Sequence, residues 1–133
     1  MLGSRIIVKI DGFGGRMPDL LFVQKSRLEI IQQKAIYGAP ELVMEIISPN
    51  DRPSDLRALE TDYFGLGVQE LVFVDLAKQE IRQLHWLDES YEESVITSGP
   101  IEFASIPGME LQSAWILKEP RPDVFDTLSG LLV

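Results

Sequence analysis

Apolar positions in this chain gather into short blocks separated by turn residues. Residues 5–11, Arg-Ile-Ile-Val-Lys-Ile-Asp, are short and β-branched, which predicts a strand. Gly12-Phe13-Gly14-Gly15 breaks it as a glycine-rich turn, and residues 19–23 form a second strand just after Pro18. Between 24 and 37 the spacing of Leu28, Ile31 and Ala35 is helical, but Ile30 and Ile36 spoil the stripe; a loop with a short helix is expected. Leu42–Ile47 is apolar on both faces except for Glu45, the pattern of a central strand covered on both sides. Ser54 is placed to cap a helix whose Leu56, Leu59, Tyr63 and Leu66 make an amphipathic stripe, and Gly67 is placed to stop it. Glu70–Asp75 is another buried strand, so the unit is strand–helix–strand, expected as a parallel crossover.

After Asp75 the pattern changes. Residues 80–87, 91–97 and 101–105 read as short strands in an antiparallel meander extending the sheet. Ile106-Pro107-Gly108-Met109 is a turn, residues 114–117 are placed to dock on the core, and the tail beyond Lys118 is expected on the surface. The whole is an α/β fold, and 133 residues amount to one domain's worth.

Composition narrows the chemistry. Cysteine is absent, which removes disulfides, thiol catalysis and cysteine zinc sites. No apolar run approaches the roughly 20 residues that span a bilayer, and no secretory signal is visible, so a cytoplasmic location is expected. The net charge of −9 disfavours polyanions, yet it is unevenly spread. Residues 1–60 carry eight basic and eight acidic groups; residues 61–133 carry four and thirteen. One part of the surface can therefore tolerate a polyanion that another repels; a merely solvated acidic face is the plainer explanation.

The candidate chemistry begins with a charge in the wrong place for packing. Glu45 lies mid-strand between Met44 and Ile46, where an unpaired carboxylate costs several kcal/mol in desolvation. Asp19 starts another strand. Two carboxylates on neighbouring strands make a hard-oxygen site suited to magnesium; equally, Asp19 could cap a turn while Glu45 pairs with an arginine. His85, the single histidine, has no partner at metal-ligand spacing, and Ser48 has no usable base. The Gly12–Gly15 turn matches a phosphate loop only loosely, and Asp51 and Asp55 read as dipole and capping groups at a helix start.

Three blocks carry a resemblance: Arg16-Met17-Pro18-Asp19-Leu20, then residues 38–49 (Gly-Ala-Pro-Glu-Leu-Val-Met-Glu-Ile-Ile-Ser-Pro), then Tyr63 with residues 67–75 (Gly-Val-Gln-Glu-Leu-Val-Phe-Val-Asp). They resemble the "putative restriction endonuclease" family of bacterial proteins, within the PD-(D/E)XK nuclease superfamily. Ile106-Pro107-Gly108-Met109-Glu110-Leu111 is similar to that family's closing segment, so the likeness runs from about Ile6 to Leu117. It implies a restriction-endonuclease-like mixed sheet flanked by helices, with Asp19 and Glu45 as metal-binding catalytic acids, Mg2+ as cofactor and DNA as partner.

The departures bear on activity. The superfamily's lysine two residues after the second acid is here Ile47; the family's alternative, on the next helix four residues before its tyrosine, is Leu59. Removing one preorganised positive group typically costs about 3–4 kcal/mol of transition-state stabilisation. Arg52 is a weak substitute. The resemblance implies a helical segment ahead of residue 5 that is expected to be missing here, so that strands 6–10 and 42–47 are expected to expose apolar faces and drive formation of a homodimer. Two functions follow: a metal-dependent DNA endonuclease, degenerate for want of its lysine, or a non-catalytic binding or oligomerisation module that keeps the nuclease fold.

Overall fold

A computed structural model describes residues 2–3, 7–9, 15–16, 18–32 and 35–117. In chain order the elements are β1 (Leu2–Gly3), β2 (Ile7–Lys9), β3 (Gly15–Arg16), β4 (Leu20–Phe22), a 3-10 helix (Lys25–Ile30), β5 (Ile31–Gln32), β6 (Ala35–Ile36), β7 (Leu42–Ile47), α1 (Pro53–Leu66), β8 (Glu70–Asp75), β9 (Glu80–Leu87), β10 (Ser90–Ile96), β11 (Pro100–Glu102), β12 (Glu110–Gln112) and α2 (Ser113–Leu117). The expected turn at 12–14 and the tail beyond Lys118 lie outside the described residues.

The main sheet has six strands in the order β1-β4-β7-β8-β9-β10. β7 and β8 pair in parallel, and the other neighbours are antiparallel. The sheet is therefore mixed, as the nuclease resemblance implies, with the strand–helix–strand unit at its centre. β3, β2, β6 and β5 form a separate four-stranded sheet.

α1 covers one face. Val43, Leu71, Phe73 and Leu84 are buried there with Tyr63 and Val68, and Leu56 and Leu59 of the helix pack against them. Leu21, Val23 and Ile36 continue this layer and meet Leu66. The helix begins at Pro53, one residue before the expected cap at Ser54, because proline's fixed φ suits the first helical position. Its first turn is closed by Asp55, whose Oδ2 accepts the Arg52 backbone N–H at 2.9 Å. Gly67 ends it at φ 101°, a left-handed conformation that glycine adopts without a Cβ penalty.

The opposite face differs from expectation. Residues 101–105 do not extend the meander; β11 leaves the main sheet and, among the described residues, pairs only with β12. The physical reason is an apolar face that needs a cover: Leu42, Met44, Val72, Val74 and Ile81 pack under Ile101, Phe103, Ile106, Met109 and Leu111, with Ile116 and Leu117 of α2 completing the layer. Both faces of β7 are thus closed within the chain, and the expected exposed patch on residues 42–47 does not exist. The side chains of residues 6–10 lie outside the described residues. Glu70, fully buried on β8, pins the crossing segment: its carboxylate accepts the Ala104 and Ser105 backbone N–H groups at 3.1 and 3.0 Å and the Gln83 amide at 2.7 Å. Around residues 24–37 the short helix is present, followed by β5, which pairs antiparallel with β6.

Candidate functional site

Antiparallel pairing matches Leu20 with Met44 and Leu21 with Val43. One step further along that register sets Asp19 opposite Glu45. Side chains alternate along a strand, so Asp19 shares a face with Leu21 and Val23, and Glu45 with Val43 and Ile47. That face is the one under α1. The two acids are thus brought together at the end of β4, where the sheet gives way to solvent. Asp19 is exposed, and its Oδ2 accepts the Ile46 backbone N–H at 2.7 Å. This bond continues the β4–β7 ladder by a side chain and holds the carboxylate beside its partner.

Glu45 is half-buried, and its Oε1 accepts the Tyr63 hydroxyl at 3.2 Å. Burial, and then the negative charge of Asp19, push its carboxyl up to about 7; bonds from Tyr63 and the Asp19 backbone and the charge of Arg16 pull the other way. Tyr63 has no exposed surface, and its phenol is driven well above the ordinary tyrosine range by burial and by Glu45. The phenol therefore stays protonated and serves only as a donor to the carboxylate.

Two neighbouring carboxylates, one raised by burial and by the other's charge, are hard oxygen donors of the kind a divalent cation takes. Among the described residues no group of three or more His, Asp or Glu side chains converges. The pair fits an ion such as Mg2+, which takes one or two carboxylates and keeps several waters.

Leu59 stands one helical turn before Tyr63 and packs into the cluster beneath α1, so hydrocarbon occupies the helix position where the family places its lysine. Ile47 packs there too. Arg52 does not fill the gap: its side chain is 82% exposed and faces Asp55 of its own helix at 3.8 Å. Arg16 does approach. Its Nε donates to Asp62 Oδ2 at 2.7 Å, and its charge acts on both Glu45 and Tyr63. In the sequence Arg16 stands only as part of a resembling block, and Tyr63 as a position of that resemblance and of the amphipathic stripe. The hint for Tyr63 is its hydroxyl within an otherwise aliphatic stripe; nothing local links Arg16 to Asp62, 46 residues away.

The other candidates lie apart. His85 is on β9, with Glu70 and Glu92 as register partners, two strands from Glu45. Ser48 and Asp51 close a turn on one another: the Asp51 carboxylate accepts the Ser48 N–H at 2.8 Å.

Comparison with known proteins places these observations in a family. Residues 2–114 match the Uma2 family, described as "Putative restriction endonuclease". Among solved structures, a crystal structure of a "putative nuclease belonging to DUF820" from Anabaena variabilis ATCC 29413 superposes with a TM-score of 0.72 at 15% identity. The alignment covers 87% of this chain and 66% of that one, so this chain spans just under two thirds of its length. At that identity the likeness is one of fold. No curated protein shows significant similarity. With the family's pattern matched over nearly all the described residues and the nuclease fold beneath it, the chain belongs to the Uma2 family of restriction-endonuclease-like proteins.

Proposed function

We propose that the chain carries the two-acid centre of a metal-dependent DNA endonuclease, a phosphodiester hydrolase, and that this centre is degenerate because it lacks the family's lysine. The observation that carries the reading is the register that sets Asp19 opposite Glu45 on the α1 face. Asp19 Oδ2 is oriented by the Ile46 N–H, and the Glu45 carboxylate by the Tyr63 hydroxyl at Oε1 and by the Asp19 backbone. Mg2+ held by Asp19 and Glu45 would supply a nucleophilic water and charge stabilisation at a phosphate. The Tyr63 hydroxyl anchors the Glu45 carboxylate to α1, and the Ile46 N–H anchors Asp19 to β7.

A second reading, a binding module without catalysis, is favoured by one observation: Leu59 packs as hydrocarbon at the lysine position. The separate expectation of a homodimer loses one of its grounds, since both faces of β7 are covered within the chain.

The test is plasmid nicking in Mg2+ at low salt, where phosphate binding is strongest. The degenerate endonuclease shows little or no cleavage as the wild type and weak, Glu45-dependent nicking as Leu59→Lys. Robust wild-type cleavage abolished by Glu45→Ala refutes degeneracy but upholds the acid pair. Cleavage indifferent to Glu45→Ala removes the site.

A further inference from the structure

We propose that Arg16, clamped by Asp62, is the cationic group of the Asp19–Glu45 centre, and that it binds the phosphodiester backbone of DNA there in place of the missing lysine. The inference rests on the endonuclease reading above and adds to it a residue and a contact.

Three features of the geometry converge. Arg16 on β3 lies three residues before Asp19, so one short segment delivers both a cation and an acid. On α1 the neighbours Asp62 and Tyr63 hold the two opposite charges: Asp62 takes the guanidinium of Arg16, and Tyr63 takes the carboxylate of Glu45. The ion pair is made through Nε at 2.7 Å and one terminal nitrogen at 2.6 Å, both to the single oxygen Oδ2. One edge of the guanidinium is thereby occupied. Among the described residues Asp62 is its only hydrogen-bonding partner, and about a third of its side chain is exposed, so donors remain for an oxyanion. Its electrostatic reach to Glu45 and Tyr63 agrees with this placement.

The chemistry separates binding from cleavage. A guanidinium forms bidentate, charge-assisted bonds to phosphate oxygens and stays charged at every working pH. It can neutralise a phosphate but cannot readily exchange a proton. A centre in which Arg16 stands for lysine therefore grips DNA better than it cuts it. The alternatives are excluded by position: Arg52 points into solvent beside Asp55, and Leu59 has no charge.

The experiment is binding of a short fluorescent DNA duplex in Mg2+, by anisotropy over a salt series, for the whole chain and its variants. Arg16→Ala is expected to weaken binding roughly tenfold or more, as loss of a charged hydrogen bond does, and to reduce the slope of log affinity against log salt by about 1. Arg16→Lys, which preserves the charge, should keep the slope. Leu59→Lys added to Arg16→Ala should restore it from the helix side, which guards against an effect of misfolding. A wild type with the same affinity and slope as Arg16→Ala overturns the assignment. The acid-pair reading is judged separately by Glu45→Ala, which must abolish the Mg2+ dependence of binding if that reading holds. A wild type that binds no duplex at any salt overturns both.

Discussion

The hydroxyl of Tyr63 donates to Glu45 Oε1 at 3.2 Å, from a side chain with no exposed surface to a carboxylate that is half-buried. This bond ties α1 to the centre of the sheet and favours the charged form of Glu45 against burial and against Asp19. Tyr63→Phe deletes the donor and little else. The variant should lose about 1–2 kcal/mol at pH 8, where Glu45 is charged, and less at pH 5, where it is neutral. Urea denaturation at the two pH values measures the difference.

The raised carboxyl of Glu45 has a thermodynamic consequence. A carboxylate whose pKa rises on folding, here from 4.5 to about 7, binds its proton more tightly in the folded chain. The penalty is absent below pH 4.5, grows as pH rises, and is complete above pH 7. At about 1.4 kcal/mol per unit it reaches at most about 3–4 kcal/mol, less where solvent screens the group. Glu45→Gln should remove this pH dependence, so its Tm should exceed the wild type's at pH 8 and approach it at pH 4.5. Equal Tm differences at both pH values would show that Glu45 is not buried as a charge.

Cation binding should reverse that penalty. On the proposed reading Mg2+ would stabilise the deprotonated pair, so millimolar Mg2+ should raise the wild-type Tm at pH 8 and have little effect at pH 5. Asp19→Asn and Glu45→Gln should each abolish the shift. A Tm increase that survives both substitutions would place the ion elsewhere.

Glu70 tests the architecture independently of the site. Its buried carboxylate serves two backbone N–H groups of the segment crossing to β12 and one glutamine amide. Glu70→Ala removes the acceptor shared by the Ala104 and Ser105 N–H groups, while the Gln83 amide keeps its bond to the Glu102 carbonyl at 2.8 Å. It should cost about 1–3 kcal/mol in urea denaturation, with no change in Mg2+ dependence.

The elements that depend on local pattern were legible in the chain. Leu42–Ile47 and Glu70–Asp75 declare themselves as buried strands by continuous apolar character, and the stripe from Leu56 to Leu66 declares a helix by its period. Glu45 stood out because a carboxylate in such a strand is costly, and Asp19 because it opens the neighbouring one. What tertiary structure alone decided is which distant residues meet. The swing of β11 away from the meander follows from an apolar sheet face whose area no local window contains. The pairing of Arg16 with Asp62 spans 46 residues, and that of Tyr63 with Glu45 spans 18. Hydrophobic period records which face of an element is buried, but it carries no signal for the partner across the layer. That partner is chosen by sheet register and helix docking, and these fix the charges around Glu45 only once the chain has closed.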